Sequence, residues 1–278
     1  MEGCYLRKLL VFGASGLVGK ALVEECKGSF DVYGTYATRP VDLPEEKQFQ
    51  LEIRDMDKMK EIVQSIKPDS IISCLRGDFD QQLEFHRELA LEIENTESVL
   101  YYFSTANVFD GDFTKHHSEE DIPNAASPYG QFKIECENML KEVLKERAVM
   151  IRIPQIWGKK SPRLDQIRSG IENNSIDVYS NLECNHLTDE FLAKQLKYII
   201  LHKLSGVFHF GAVDMMSQDR FIEELVSTLT DKEIEFHYRL LQDTPDTYYF
   251  GLKSIRNDLP ESLLKTNSEM IANVVGSS

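Results

Sequence analysis

Along the N-terminal half of the chain, short apolar runs alternate with stretches whose apolar residues recur every three or four positions. The first run opens at Lys8 and passes through a glycine-rich turn into a helical stretch reaching about Cys26. Phe30–Tyr36 reads as a second strand and Gln48–Ile53 as a short third. Asp55–Ile66 carries Met59, Ile62, Val63 and Ile66 at helical spacing. Ser70–Cys74 reads as a fourth strand, Gln81–Glu94 as a helix, Ser98–Phe103 as a fifth strand, Pro128–Lys145 as a long helix and Ala148–Ile153 as a sixth strand. Strands and helices in alternation predict an α/β chain whose parallel sheet is doubly wound, with helices on both faces and right-handed crossovers. Ligands of such sheets bind beyond the carboxyl ends of the strands. Gly13, Arg39, Ser73, Ser104 and Pro154 fall at those ends.

Past Ile153 the rhythm weakens. Ser161–Asn174 is polar and helical with loops, and Thr188–Leu201 is amphipathic. Gly206–Phe210 is a short strand, Ser217 is placed to cap a helix through Thr228, and the tail from Ile234 is mixed. The expected organisation is a main domain over 1–153. Residues 154–278 partly complete it and also form a smaller, interleaved lobe for substrate.

Charge and cysteine usage narrow the partners. Forty-six acidic against 31 basic residues give a net charge of −15, which argues against nucleic acid, whose phosphates need a basic surface. An anionic small ligand stays admissible, because local dipoles and a few arginines outweigh the global field at one site. The five cysteines, Cys4, Cys26, Cys74, Cys136 and Cys184, show no metal or disulfide spacing, and no metal is expected. His116-His117 lie among Glu119, Glu120 and Asp121 and read as a solvated loop. No apolar run is long enough for a membrane span or a signal sequence, so the expectation is a cytoplasmic protein without a membrane partner.

The glycine-rich turn carries the first chemistry. Gly13, Gly16 and Gly19 form a G-x-x-G-x-x-G spacing between strand and helix. The bend needs a residue free of Cβ, a second glycine admits a pyrophosphate to the backbone N–H groups at the helix N-terminus, and a third lets the helix pack on the strand. Gly19-Lys20 is followed by Ala21 and is no P-loop; Leu17 stands where a nucleophile elbow around Ser15 would need glycine.

The second element is Tyr129-Gly130-Gln131-Phe132-Lys133, which puts a phenol and an ammonium one helical turn apart. A nearby ammonium is expected to lower a phenol's pKa from about 10 and make it a usable acid. Ser104-Thr105 end a predicted buried strand at the same sheet edge.

Together these motifs resemble the extended short-chain dehydrogenases/reductases, a Rossmann-type fold. Phe103-Ser104-Thr105-Ala106-Asn107-Val108-Phe109-Asp110-Gly111 is similar to the S-T-D-Y-V-F-D-G signature of dTDP-4-dehydrorhamnose reductases and their sugar-nucleotide-binding relatives. The resemblance runs from the first strand to Gly158, and more loosely through Phe210. It implies that Thr105 binds a substrate carbonyl, Tyr129 donates the proton, and Lys133 holds the nicotinamide ribose. It implies cofactor contacts at Gly13, Ser15, Gly16, Leu17, Val18, Glu52, Ile53, Ser73, Cys74 and Leu75, and substrate contacts at Arg76, Asn107, Val108, Gln155 and Trp157. The cofactor expected is NADP(H): no carboxylate stands between Tyr36 and Pro40 to bind a ribose 2′-hydroxyl, and Arg39 is available for a 2′-phosphate.

Three departures alter the pocket. The family's Asn-Ala-Ala run is Ser73-Cys74-Leu75, its Asp-Tyr pair is Ala106-Asn107, and its tryptophan position is Gln155, with Trp157 two residues on. The expected activity is NADPH-dependent reduction of a keto group on a nucleotide-sugar, with that substrate and at most a second copy of the chain, a homodimer, as partners. Two alternatives stay open: a non-catalytic NADP-binding module like the regulatory subunit of methionine adenosyltransferase, and a nucleotide-sugar epimerase or dehydratase.

Overall fold

Seven strands lie side by side in one all-parallel sheet. Six are β1 (Lys8–Phe12), β2 (Asp31–Tyr36), β3 (Gln48–Gln50), β4 (Ser70–Ser73), β5 (Val99–Thr105) and β6 (Ala148–Ile153), and the seventh is Val207–His209. The protein is described by a computed structural model over residues 6–276; Cys4 lies outside the described residues. The spatial order is Val207–His209, β6, β5, β4, β1, β2, β3. Direction of winding reverses between β1 and β4, and a crevice opens there at the carboxyl edge.

The strands read as unbroken apolar runs because both faces are covered. Leu9 and Val11 pack under α1 (Leu17–Cys26) and α6 (Asp189–His202), while Leu10 and Phe12 pack under α2 (Met56–Ile66), α3 (Phe79–Ile93) and α4 (Pro128–Leu144). Successive side chains point to opposite faces, so each strand feeds two cores.

After β6 the chain leaves the sheet, builds α5 (Pro162–Glu172) and several three- to five-residue strands, then returns with α6 and Val207–His209. It leaves again for α7 (Gln218–Leu229) and ends with α8 (Asn267–Val275). A third apolar core around Trp157, Leu164, Phe221, Leu225 and Ile271 holds this outer part together.

Several local expectations change. β3 stops at Gln50 rather than Ile53, and β5 continues to Thr105 rather than Phe103, since its register with β6 pairs Thr105 with Ile153. Ser217 does not cap α7: its hydroxyl donates to the Asp219 carboxylate at 2.5 Å. His117 is not solvated. It is 5% exposed, stacks on Phe109 with ring centroids 4.3 Å apart, and its Nε2 bonds the Asp112 carbonyl at 2.9 Å.

Candidate functional site

The crevice at the carboxyl edge is one continuous cleft of about 1850 Å³, running from the glycine turn past Thr105 and Tyr129 to the start of α5 and α6. At its first end, Gly13 has φ +76°, and a Cβ there would stand 3.1 Å from the Cys74 carbonyl. A Cβ on Gly19 would meet the Gly13 carbonyl oxygen at 2.4 Å. The fold itself therefore needs both. Gly16 differs: its φ of −72° suits any residue, and the nearest atom to a Cβ is 3.4 Å away. No side chain caps α1, so the donors of its first turn are left to whatever occupies the cleft.

The other wall is made by β5 and α4. Thr105 Oγ1 donates to Asn107 Oδ1 at 3.1 Å and accepts from the Asn107 N–H at 3.3 Å. Asn107 Nδ2 donates to Asp110 at 3.2 Å. Asp110 then gathers the N-terminus of α4, accepting from the Ala126 and Ser127 N–H groups at 2.7 and 3.0 Å and from the Ser127 hydroxyl. Ser127 Oγ in turn caps the helix by accepting from the Gly130 N–H at 3.0 Å. Gly130 is pressed onto the loop after β5: a Cβ there would lie 2.2 Å from the Asn107 carbonyl oxygen. Tyr129 is thereby set beside Thr105, 37% exposed on the cleft.

Lys133 is buried on the next turn. Its Nζ donates to the Phe103 carbonyl at 2.8 Å, 5.9 Å from the centre of the Tyr129 ring. Burial pulls its pKa down to about 8. The expected lowering of the phenol does not occur. Burial raises the Tyr129 pKa, opposed by the neighbouring Thr105 hydroxyl and then by the charge of Arg76.

Ser15, Leu17, Val18, Glu52, Ile53, Cys74, Leu75, Arg76, Asn107 and Gln155 also line the cleft. Four expected site residues do not. Ser73 faces α3: its hydroxyl lies 2.7 Å from His86 Nε2, and His86 Nδ1 lies 2.5 Å from the Gln82 carbonyl and must carry the proton. Ser73 is thus the donor to His86, which burial keeps neutral with a pKa of about 3. Val108 is turned into a small core with Ala106, Phe109 and Leu252. Trp157, 3% exposed, is carried into the outer core and packs on Phe221 with ring centroids 5.2 Å apart. Arg39 is exposed one residue past Thr38, which does line the cleft.

The sequence reading missed the far end. Lys160, Arg163 and Phe250 line it from stretches without strong periodicity, and Asp189 from the start of the amphipathic Thr188–Leu201 stretch. Asp189 opens α6 with its carboxylate packed on Gly158, where a Cβ would lie 2.6 Å from Oδ2. Burial lifts its pKa to about 6. Among the described residues no group of three or more metal-ligating side chains is found, and no helix is long and apolar enough to cross a membrane.

Sheet order and cleft define a doubly wound, Rossmann-type α/β protein with its ligand site at the carboxyl edge. The chain belongs to the RmlD substrate binding domain family, whose profile matches residues 7–237. It is 30% identical to methionine adenosyltransferase 2 subunit beta of Xenopus laevis, over 76% of this chain and 69% of that one. It is 27% identical to the same-named protein of Danio rerio, over 76% and 71%. In structure it is similar to a dTDP-4-dehydrorhamnose reductase from Clostridium acetobutylicum, with a TM-score of 0.80 and 20% identity over 96% of this chain and 98% of that one. It is also similar to the Bacillus anthracis dTDP-4-dehydrorhamnose reductase solved in complex with NADP, with a TM-score of 0.78 and 21% identity over 96% and 98%.

Proposed function

We propose that the protein reduces a keto group of a nucleotide-sugar with NADPH. The observation that carries this reading is the convergence of Thr105, Tyr129 and Lys133 on the wall of a cleft whose other end is the Gly13–Gly19 turn. The turn fits a dinucleotide. Gly16 is required by nothing in the fold, and the side chain it lacks would fill space beside uncapped helix donors, which suit a pyrophosphate. Gly13, Ser15, Gly16, Leu17 and Val18 would hold that pyrophosphate, Glu52 and Ile53 would border the adenine, and Cys74, Leu75 and Lys133 the nicotinamide end. The NADP named with the Bacillus anthracis relative supports this choice of cofactor.

When bound, the nicotinamide supplies the hydride. The chain's own residues manage the oxygen of the substrate carbonyl, where negative charge develops. Thr105 would exchange its bond to Asn107 for one to that oxygen, and Tyr129 would give it a proton. Burial makes the phenol a weaker acid than the ammonium alone would, and the transfer is driven by the greater basicity of the alkoxide that forms on the carbonyl oxygen. Two O–H groups aimed at one developing oxyanion stabilise it most when water is excluded. Lys133 orients the ribose and keeps a positive charge beneath the phenol.

A second reading is favoured by the sequence relatives, which are named as a subunit of methionine adenosyltransferase. In it, the cleft binds the dinucleotide and the chain serves another catalyst. NADPH oxidation by the purified protein, tried against dTDP-, UDP- and GDP-linked 4-keto-sugars, separates the two. Turnover that Tyr129→Phe abolishes is the expected result. NADPH binding without turnover on any of them gives way to the subunit reading.

A further inference from the structure

Lys133 is a buried cation without a counter-ion. It is 6% exposed, and among the described residues its ammonium forms no ion pair. One of its N–H donors goes to the Phe103 carbonyl at 2.8 Å. The partner its helix offers is Glu137, four residues on. That carboxylate is spent elsewhere. It accepts from Arg152 at 2.9 and 2.7 Å and meets Lys141 at 3.3 Å.

Aromatic rings face the ammonium instead. Its Nζ stands over the Tyr102 ring, 4.5 Å from the centre, with the rings of Phe132 and Tyr129 at 5.4 and 5.9 Å. All three lie within the roughly 6 Å over which a ring's quadrupole attracts a cation, an attraction that grows when water is excluded. Tyr102 is itself buried on β5. Its hydroxyl makes no hydrogen bond among the described residues, with the Cys136 thiol as polar neighbour. The ring is what it brings. His86 braces that ring, meeting it at 82° with centres 4.9 Å apart, and is tied in turn to Ser73 and the Gln82 carbonyl.

We propose that Tyr102 is a positioning residue: the face of its ring, in place of a carboxylate, holds the Lys133 ammonium charged at the wall of the cleft. A carboxylate would cancel the charge and take up donors. A ring stabilises the cation and leaves N–H groups free for a ribose hydroxyl, with the charge still felt at Tyr129. The proposal rests on reading Lys133 as the residue that holds the nicotinamide ribose. The other titratable and charged groups facing Lys133 are Tyr129, Cys136 and Glu137 on its own helix, Cys74 and Arg76 after β4, and His86 on α3. Burial keeps His86 neutral and pushes the thiols of Cys74 and Cys136 and the Tyr129 phenol up. Glu137, which burial would raise, is held charged by Arg152. Lys133, drawn by burial to about 8, is the member of this set that titrates near neutrality.

The test uses the full chain as wild type, as Tyr102→Phe, as Tyr102→Leu, and with singly, doubly or triply fluorinated phenylalanine in place of Tyr102. The first readout is the NMR titration of the Lys133 Cε in carbon-labelled, cofactor-free protein, assigned with Lys133→Arg. Tyr102→Phe keeps the π face and should titrate as the wild type does. Fluorine drains charge from that face at nearly constant shape, so Lys133 should lose its proton at a stepwise lower pH along the series. Tyr102→Leu should weaken its hold on the proton by about tenfold or more. A fluorinated series that titrates together with Tyr102→Phe overturns the proposal, even if Tyr102→Leu fails to fold. The second readout is NADPH affinity relative to wild type. In the triply fluorinated and leucine proteins it should match wild type near pH ~6, where Lys133 is charged in each, and fall several-fold behind as pH rises through about 8. A loss of the same factor at every pH is a packing defect and counts against the proposal. A Lys133 titration that follows the ring while NADPH affinity stays level upholds Tyr102 and removes Lys133 from the ribose, which sinks that part of the reductase reading instead.

Discussion

Tyr129 is aimed by its neighbours rather than by its own contacts. Asp110 draws in the start of α4 through three donors, and the missing Cβ of Gly130 lets the helix touch the loop after β5. Removing the phenolic oxygen should therefore leave the site standing. For Tyr129→Phe we expect keto-sugar reduction to fall by roughly two to four orders of magnitude, with NADPH affinity changed by less than about twofold; steady-state kinetics and calorimetry on the same preparation check it. Asp189 yields a second expectation. Its folded-state pKa, about 6, lies above the ordinary 3.8. The stability it contributes is complete below the lower value and is lost as pH rises through the upper one. Asp189→Asn removes that loss, so its melting temperature should exceed the wild type's at pH above 7, with a margin that shrinks as pH falls from about 6 to about 4. A constant margin across that range would contradict it. Thr105, Tyr129 and Lys133 were legible because strand end and helical spacing bring them to one edge. Val108 and Trp157 were not, because their direction is decided by what they pack on. Asn107 reaches the cleft while its neighbour joins Phe109 and Leu252, and Trp157 follows its strand toward Phe221.

At the scale of the element, the turn before α1 separates the demands of folding from those of binding. Gly19→Ala drives a Cβ toward the Gly13 carbonyl, at 2.4 Å, and should destabilise the fold with or without ligand. Gly16→Val meets little protein and should leave the melting temperature of the unliganded chain close to wild type, while weakening NADPH at least about tenfold by blocking backbone approach. Equal NADPH affinity in a folded Gly16→Val protein would move the cofactor elsewhere. The elements of the main sheet were readable because each strand is buried on both faces and each helix on one, which writes period and run length into the sequence. Their ends were not. Gln50 closes β3 and Thr105 extends β5 through pairing with neighbouring strands, and Ser217 turned to Asp219 instead of its helix. A further tie was unreadable for the same reason. Glu137 on α4 meets Arg152 on β6 through two bonds of 2.9 and 2.7 Å, both side chains buried, and Arg152 continues to His209 at 3.3 Å. Each is a commonplace surface residue until the fold encloses it.

At the scale of the molecule, the cleft spans both parts of the chain, so a ligand that fills it should stiffen the whole. NADPH at about 100 times its dissociation constant adds about 2.7 kcal/mol, which for a chain of this size raises the melting temperature by roughly 5 °C. NADH should give a smaller shift. Arg39→Ala should reduce the NADPH shift toward the NADH value, since a charged bond to the 2′-phosphate is worth about 1.5–3 kcal/mol. Equal loss for both dinucleotides would remove Arg39 from the choice. The outer lobe was the least legible part, being built from strands of two to five residues whose partners lie far along the chain, such as Glu235–Arg239 on Ser175–Tyr179. The seating of α4 has one last consequence. A helix fixed by Gly130 and Asp110 keeps its place when the hydroxyl it presents is gone. Chemistry and architecture are then separable in descent. If the proposed chemistry holds, one lost oxygen would turn a catalyst into a receptor for the same dinucleotide, with its outer contours intact for any partner already fitted to them.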